Sequence, residues 1–507
     1  MPEINEISKI RRKVLTELAQ MTFEGRLHSD VENILHTVVT EEGPRYRCCV
    51  HKERAVLQDR VKSALSQPMD ISMTEAAGAA LAGVISDSPI IQVLPVACDQ
   101  CPLDRFIVTD ACRNCLAHSC IASCPKKAIS VVANRSFIDK TKCVECGLCK
   151  RSCPYGAIIE ISRPCERACE LGAIAAGKAR KAVIDYTLCV HCGACKMACP
   201  FGAISDRSMI VQVIQQIKAG RRVYALLAPA FIGQFGIQVR PGQVLASLKK
   251  VGFHDTLEVS VGADAVAVEE AREFIERNRE PKGKVMTTSC CPAFVGMVEK
   301  HLPAMKDNIS SLVSPMVAAA MDVKKNDPEG IVVFVGPCIA KKSEAQRYPG
   351  IVDFVLTFEE LATLIVGAGV NVTEMDAGSF ASAGSKDGNI FARAGGVLQA
   401  VQNVLSQLAP DVELQAERCE GLGNCKKCLQ EIEAGKRNAN LFEGMACTGG
   451  CVGGPGVLTD SRITTKLVEN FAGASPEKSA VANPKSEELI KLGLHRPHEQ
   501  HKDSSAD

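Results

Sequence analysis

Sixteen cysteines fall between residues 98 and 199, and one phrase closes a cysteine group four times there: Cys124-Pro-Lys-Lys-Ala-Ile, Cys153-Pro-Tyr-Gly-Ala-Ile, Cys169-Glu-Leu-Gly-Ala-Ile and Cys199-Pro-Phe-Gly-Ala-Ile. A phrase that recurs at short intervals marks a repeated structural unit. The whole chain of 507 residues holds 26 cysteines. No apolar run of about 7 to 15 residues follows Arg11-Arg12 to serve as a secretory signal. Disulfide frameworks belong to secreted chains, whereas clustered thiolates inside cells usually bind metal. The expectation is a cytoplasmic metal protein.

Spacing narrows the metal. Cys143, Cys146, Cys149 and Cys153, and again Cys189, Cys192, Cys195 and Cys199, fit C-x2-C-x2-C-x3-C-P. That is the bacterial ferredoxin run, in which three thiolates hold one 4Fe-4S cluster and the fourth crosses to another. Cys112, Cys115, Cys120 and Cys124 form a longer variant, and Cys165 and Cys169 only the second half of such a group. The gaps from Cys124 to Cys143 and from Cys169 to Cys189 are similar, at 19 and 20 positions. Pairing by gap gives two tandem ferredoxin-like α+β modules. The crossing rule then assigns one cluster to Cys112, Cys115, Cys120 and Cys153, a second to Cys143, Cys146, Cys149 and Cys124, and a third to Cys189, Cys192, Cys195 and Cys169. Cys165 and Cys199 remain as half a site, which the upstream pair Cys98 and Cys101 would complete as a fourth cluster; the alternative is a separate role for that pair, which leaves three. Zinc is the weaker reading, because zinc sites rarely use four cysteines with a trailing proline. His191 reads as a turn residue within the 189 to 195 loop, not as a ligand.

Around this region the texture changes. Residues 1–94 read as a helical segment, with Ile7, Ile10, Val14 and Leu18 near a helical period and a second amphipathic run over 53–65. Residues 95–205 hold the modules. From 206 to 471 helix and strand patterns alternate, with helices over 209–219 and 263–277 and strands over 223–227 and 331–335, which predicts an α/β domain. Residues 472–507 read as a polar tail whose last ten, His498 to Asp507, are mobile. Lys+Arg 59 against Asp+Glu 58 leaves a net charge of +1. No basic tract carries interleaved aromatics and no apolar stretch is long enough to span a bilayer, so neither nucleic acid nor membrane insertion is expected. No G-x-G-x-x-G follows a predicted strand, which argues against direct nicotinamide use.

The α/β region carries three further cysteine motifs: Thr288-Ser289-Cys290-Cys291-Pro292, Gly336-Pro337-Cys338-Ile339-Ala340-Lys341-Lys342-Ser343-Glu344, and Glu443-Gly444-Met445-Ala446-Cys447-Thr448-Gly449-Gly450-Cys451. They resemble, in order, the three signature motifs of iron-iron hydrogenases. The likeness covers nearly all of 206 to 460. The extra cysteines and the phrase Arg47-Cys48-Cys49-Val50 look most like the clostridial-type group B branch. The resemblance implies an H-cluster: a 4Fe-4S unit on Cys291, Cys338, Cys447 and Cys451, linked through Cys451 to a two-iron unit with carbon monoxide, cyanide and a bridging dithiolate amine. It makes Lys341 the partner of a cyanide and packs Met445 against the bridging carbonyl. Neighbours on extended backbone point to opposite faces, so Cys290 and Cys291 do not bind one iron. In the family the free thiol, here Cys290, relays protons.

The segment Ala267-Val268-Glu269-Glu270-Ala271-Arg272-Glu273 aligns without a gap to the family's proton channel. That implies a route through Cys290, Ser310, Glu273 and Glu270, with Arg277 near its outer end. Three positions depart from the pattern: Gly336, Met316 and Ala230 stand where well-studied members have Met, Gln and Ser. Cys419, Cys425 and Cys428 are either three ligands of an incomplete metal site or thiols without metal.

The expected function is reversible hydrogen oxidation, with H2 and protons as substrates. Electrons would pass through the accessory clusters to a ferredoxin-like carrier, and hydrogenase maturation proteins would install the cofactor. The alternatives are a hydrogen sensor, which typically lacks the relay thiol and adds a signalling domain, and a non-catalytic hydrogenase-like iron-sulfur assembly protein. Cys290, and the joint presence of Lys341, Glu344 and Met445, argue against both.

Overall fold

The computed structural model describes residues 5–42, 46–98, 101, 105–177, 181–278 and 285–496. Fifteen strands among them are, in chain order, β1 Ile91–Val93, β2 Phe106–Val108, β3 Ile129–Val132, β4 Arg135–Ile138, β5 Ile158–Glu160, β6 Ile174–Ala176, β7 Ala182–Ile184, β8 Ile204–Asp206, β9 Val223–Leu227, β10 Asp255–Glu258, β11 Met286–Thr287, β12 Ile331–Gly336, β13 Phe354–Thr357, β14 Ala416–Glu420 and β15 Leu441–Met445.

The α/β region forms as its sequence pattern predicts. A four-stranded sheet in the order β10-β9-β12-β13 and a three-stranded sheet in the order β11-β15-β14 are both parallel throughout. Parallel strands are covered on both faces and read as continuous apolar runs. Val332 to Val335 is such a run, and Leu441 to Met445 is buried throughout with Glu443 as its one charged residue. The predicted helices appear as Ile210–Lys218 and Ser260–Arg277.

The cysteine-rich region departs from the tandem arrangement. β2 pairs with β5 and β3 with β4, closing one module within residues 106–160. The other module pairs β6 with β7 but also β1 with β8, so its first strand lies upstream of the whole first module. One module is therefore inserted in the other, and the two are nested, not tandem. Cys98 and Cys101 follow β1 directly and supply the half-group that Cys165 and Cys169 lack. The boundary near 94 shifts accordingly, because β1 belongs to the cluster-binding region.

The N-terminal helices are no separate body. Helix Glu6–Glu24 lies against helix Phe358–Gly367, and Val14, Leu15 and Leu18 share one apolar core with the four-stranded sheet. Glycine at 367 permits the approach, since a Cβ there would stand 2.5 Å from the Ala19 Cβ. Arg11 Nε donates to Glu359 Oε2 at 2.6 Å and Arg12 Nε to Glu359 Oε1 at 3.0 Å, adding a part-buried ion cluster at the seam.

The reading of 472 onward as a polar tail is corrected as far as residue 496. Helix Pro484–Ile490 packs on helix Ser260–Arg277, with Leu489 and Leu494 buried. Val313 N donates to Leu494 O at 2.8 Å. Ala480, Leu489 and Leu494 face inward, so a polar average hid a packed segment. The run His498 to Asp507 lies outside the described residues. Among the described residues no helix is long and apolar enough to cross a membrane.

The shared core predicts that Leu18→Ala, at a site with no exposure, costs about 2–5 kcal/mol. Denaturant unfolding followed by circular dichroism should shift as one transition. An early separate transition that leaves the α/β domain unaltered would contradict a common core.

Candidate functional site

The repeated phrase has a geometric purpose. In all four copies the residue before the alanine adopts positive φ: Lys127 at +47°, Gly156 at +60°, Gly172 at +69° and Gly202 at +56°. Glycine meets that requirement without strain in three copies. The turn aims the alanine N–H back at the cysteine sulfur, from Ala128 to Cys124 at 3.3 Å, Ala157 to Cys153 at 3.4 Å, Ala173 to Cys169 at 3.2 Å and Ala203 to Cys199 at 3.3 Å. Two positions after the first cysteine of each regular group, Glu145 and His191 also adopt positive φ and donate to Cys143 and Cys189, both at 3.4 Å. His191 thus serves the turn through its backbone, and burial holds its side chain down at about 4, uncharged at neutral pH. Peptide N–H groups directed at sulfur favour thiolate, the form that binds iron.

In the enclosing module the sulfurs come together in two sets. Cys169, Cys189, Cys192 and Cys195 line one cavity of about 490 Å³. Burial first and the other three of this group next push the Cys195 thiol far up. Burial raises Cys165 to about 11, with Cys199, Cys101 and Cys98 adding to it, so the half-site and the upstream pair do meet. In the inserted module, Cys149 is raised by burial and then by Cys143 and Cys124. Cys112, Cys120 and Cys153 pack in that module's core, Cys115 is half-buried and Cys146 lies exposed. Among the described residues no three His, Cys, Asp or Glu side chains converge to hold a single ion. A four-iron cluster gives each thiolate its own iron, so its ligands stay apart.

Four more thiols converge between the two parallel sheets. Cys291 caps helix Pro292–His301, and the Ala446, Phe294 and Ala293 N–H groups point at its sulfur. Cys338 follows β12 and takes the Lys341 N–H at the start of helix Ala340–Ala345. Cys447 and Cys451 flank the glycine turn after β15, where Gly449 and Gly450 both have positive φ. A Cβ at Gly450 would stand 2.5 Å from Ala394 N, so glycine is required there. Burial first and Cys291 next push Cys451 up to about 12, and Cys338 rises to about 12 for the same reasons. Cys447 is raised by Cys338, Cys291 and Cys451 in addition to burial. It also borders the cavity of the neighbouring group and feels Cys192.

Four part-buried thiols grouped closely enough to raise one another, with peptide N–H donors aimed at Cys291 and Cys338, fit a bound cationic cluster. Next to them Cys290, Cys451, Lys341, Met445, Met316 and Phe334 line an apolar cavity. Burial opposes the charge of Lys341, but Glu344 at 2.6 Å outweighs it and holds the ammonium above its usual range. Lys341 Nζ also donates to Ser314 Oγ at 2.9 Å and to the Cys290 carbonyl at 3.2 Å.

Behind Cys290 the helix Ser260–Arg277 supplies carboxylates. Glu270 is fully buried and accepts from Ser289 N at 3.2 Å through Oε1, while Oε2 has no hydrogen-bond partner. Burial raises it to about 8, and the Ser289 N–H offsets part of that rise. Cys290 is raised by burial and then by Glu270. Glu273 accepts from Ser310 Oγ at 2.8 Å, from Ser311 N at 3.0 Å and from Arg277 Nη2 at 2.5 Å. The expected order is corrected here. Glu270 is the inner carboxylate beside Cys290, and Glu273 with Ser310 and Arg277 lies outside it.

Comparison with known proteins agrees with this geometry. The family described as iron only hydrogenase large subunit, C-terminal domain, matches residues 221–455, and the 4Fe-4S binding domain matches 137–159 and 182–205. Iron hydrogenase 1 of Clostridium pasteurianum is 31% identical over 391 residues, 66% of this chain and 67% of that one. The periplasmic iron hydrogenase large subunit of Nitratidesulfovibrio vulgaris is 30% identical over 407 residues, 68% of this chain and 93% of that one. The chain belongs to the iron-only hydrogenase family. Cytosolic iron-sulfur assembly component 3 of Bos taurus also matches, at 25% identity over 270 residues, 43% of this chain and 56% of that one. Hydrogenases and an assembly protein are thus both similar to this chain, and the choice between them lies with the site residues.

Within this iron-only hydrogenase fold the three departures become legible. Ala230 and Met316 both border the apolar cavity. At Gly336 a Cβ would stand 2.6 Å from the Phe334 ring, so Phe334 occupies the space that a larger residue at 336 would need. Two residues gain roles that motif reading left open. Glu344 anchors Lys341, a contact that their spacing of three on a helix could have signalled. Glu443 accepts from Gly395 N and Leu398 N, both at 2.7 Å, and so ties β15 to the start of helix Gly396–Leu408. That contact joins distant segments and has no local signal.

Glu270 gives a pH prediction with a definite sign. Its folded pKa, about 8, lies above the unfolded value near 4.5. Between those values the folded state holds a proton that the unfolded state has lost, so this group's contribution lowers stability as pH rises through that window. Glu270→Gln should remove that slope and be more stable than the parent at pH 8, by on the order of a few kcal/mol. Denaturant midpoints measured from pH 5 to 8 check it; parallel curves for the two proteins would contradict the buried, protonated Glu270.

Proposed function

We propose that the chain is an enzyme that interconverts molecular hydrogen with protons and electrons. The observation that supports this most is the Cys290 thiol, which shares an apolar cavity with Cys451 and Lys341 and has the buried carboxyl of Glu270 close behind it. In this reading Cys291, Cys338, Cys447 and Cys451 hold the H-cluster, which when bound supplies the metal chemistry that makes or breaks the bond between two hydrogens. Lys341 keeps its charge through Glu344 and presents it to the cavity, where a dry setting strengthens attraction for a negative ligand. Met445, Met316 and Phe334 exclude water.

Cys290 holds the transferable proton on Sγ, and burial keeps it protonated at neutral pH. Glu270, at about 8, gains or loses a proton close to neutrality and suits exchange with that thiol. Ser310, Glu273 and Arg277 complete the way to the exterior. Cys447 adjoins the group containing Cys192, so clusters held by these groups would supply an electron route between the catalytic site and a ferredoxin-like carrier. Four accessory clusters account for all sixteen module cysteines. Hydrogenase maturation proteins would load the catalytic cofactor in the cytoplasm.

Hydrogen evolution and uptake with an artificial electron dye, on protein produced anaerobically with the maturation machinery, test the proposal. Turnover in both directions is expected. Cys290→Ala should lose most turnover, on the order of 10²-fold or more, while keeping about twenty-two irons per chain, six at the catalytic site and sixteen in the accessory clusters. Parental turnover in that variant would remove Cys290 from the relay, and about fourteen irons would remove two accessory clusters. A loaded cofactor without turnover would favour the sensor.

A further inference from the structure

Cys419, Cys425 and Cys428 stand outside every cluster group, and their geometry separates the two readings open to them. Cys419 lies in β14 and Cys428 in helix Leu422–Glu433, which follows β14 directly. Their sulfurs are 2.7 Å apart, and both are free thiols. Cys425 is fully buried and turns elsewhere: its Sγ donates to the carbonyls of Cys419 at 3.3 Å and Met445 at 3.7 Å. Two sulfurs in contact and a third engaged with carbonyl oxygens do not make a metal site, which needs its ligands convergent.

We propose that Cys419 and Cys428 form a redox-active dithiol, a two-electron thiol–disulfide site separate from the iron-sulfur groups. On oxidation the two S–H bonds break and one S–S bond forms, releasing two protons and two electrons. The acceptor is a second disulfide, which leaves as two thiols, or molecular oxygen, which leaves as hydrogen peroxide. Cys425 is no competitor, because its thiol is aimed away from the pair. Burial first and the shared proton with Cys428 next hold Cys419 up at about 12, while Arg437 pulls the other way. Cys419 therefore rests as a thiol at neutral pH, and oxidation of the pair quickens as pH rises, since the thiolate is the attacking form.

The location gives the site a reach. Cys419 faces Gly444 across the sheet, and its neighbour Glu420 accepts the Gly449 N–H at 2.6 Å, inside the turn between Cys447 and Cys451. At the start of the helix that carries Cys428, Gly423 N donates to Glu170 at 2.7 Å, next to Cys169. A disulfide would cross-link the strand and the helix that touch both cluster-binding regions.

The test uses anaerobic, cluster-loaded full chain treated briefly with an azodicarboxamide oxidant, which takes up the two electrons and two protons. After alkylation and tryptic digestion, peptides 419–426 and 428–436 should be joined by a bond that dithiothreitol reverses, with cluster absorbance unchanged. The link should persist in Cys425→Ser and vanish in Cys428→Ser. Because the Cys48 and Cys49 sulfurs lie 3.8 Å apart and offer a second dithiol, protein carrying Cys48→Ser should bind one equivalent of a dithiol-specific arsenical before oxidation and none after it. A link through Cys425, no link with intact clusters, or one bound zinc per chain that is lost in Cys419→Ser would overturn the proposal. Because the readout is a peptide bond map and not turnover, it stands or falls apart from the hydrogenase reading.

Discussion

Four thiolates gathered in a dry pocket repel one another, and burial alone already disfavours each of them. Cys291, Cys338, Cys447 and Cys451 meet both conditions, and so do Cys189, Cys192 and Cys195. Lys341 beside the first group and Lys300 beside Cys189 oppose this only in part, since the thiols there stay raised. The chain instead turns peptide N–H groups toward the sulfurs through a fixed positive-φ turn, repeated four times, and through helix starts at Cys291 and Cys338. Those donors favour the charged sulfur but cannot balance it alone. Iron bound among the sulfurs would supply the balance, which would make the cofactor-binding architecture and the stability of these regions one problem.

Nesting of the two small modules follows from the same constraint. A half-group at Cys165 and Cys169 lacks the ligands for its own cluster, and β1 brings Cys98 and Cys101 to it by pairing with β8. The inserted module then sits as an outlying unit, while the enclosing one abuts Cys447 through Cys192. The N-terminal helices hold the enclosing module's far side to the catalytic sheet. Lys342, fully buried, reaches Asp206 at the end of β8 and Glu360 in the α/β domain at 2.9 and 2.8 Å, which locks the junction.

Much of this was legible in the residues, for reasons that can be stated. The four-copy phrase, the buried strands 223–227 and 331–335 and the three cysteine motifs are local patterns, and each formed where its period or spacing placed it. What stayed hidden depended on contacts between distant segments. The pairing of Ile91–Val93 with Ile204–Asp206 spans more than the entire inserted module, and no turn signal announces it. Glu270 and Glu273 share a helix face by spacing, but only the packing of Ser289 and Ser310 decides which lies inside. The packing of 472–496 turns on a few residues such as Leu489 and Leu494 within a polar stretch. The contact between Cys419 and Cys428 needed the helix after β14 to fold back, which a C-x5-C-x2-C spacing does not specify.

The central claim is that the cavity bounded by Cys290, Cys451, Lys341 and Met445 is built for the catalytic cofactor and not for a plain iron-sulfur cluster. Infrared spectroscopy of the anaerobically matured chain tests it most directly, because bound carbon monoxide and cyanide absorb where protein does not. The account predicts both sets of bands, and predicts that replacing Lys341 by Met shifts or weakens the cyanide bands, since the ammonium is held charged toward that cavity. A chain with fully loaded accessory clusters and no such bands would contradict it and place the protein with the iron-sulfur assembly relatives.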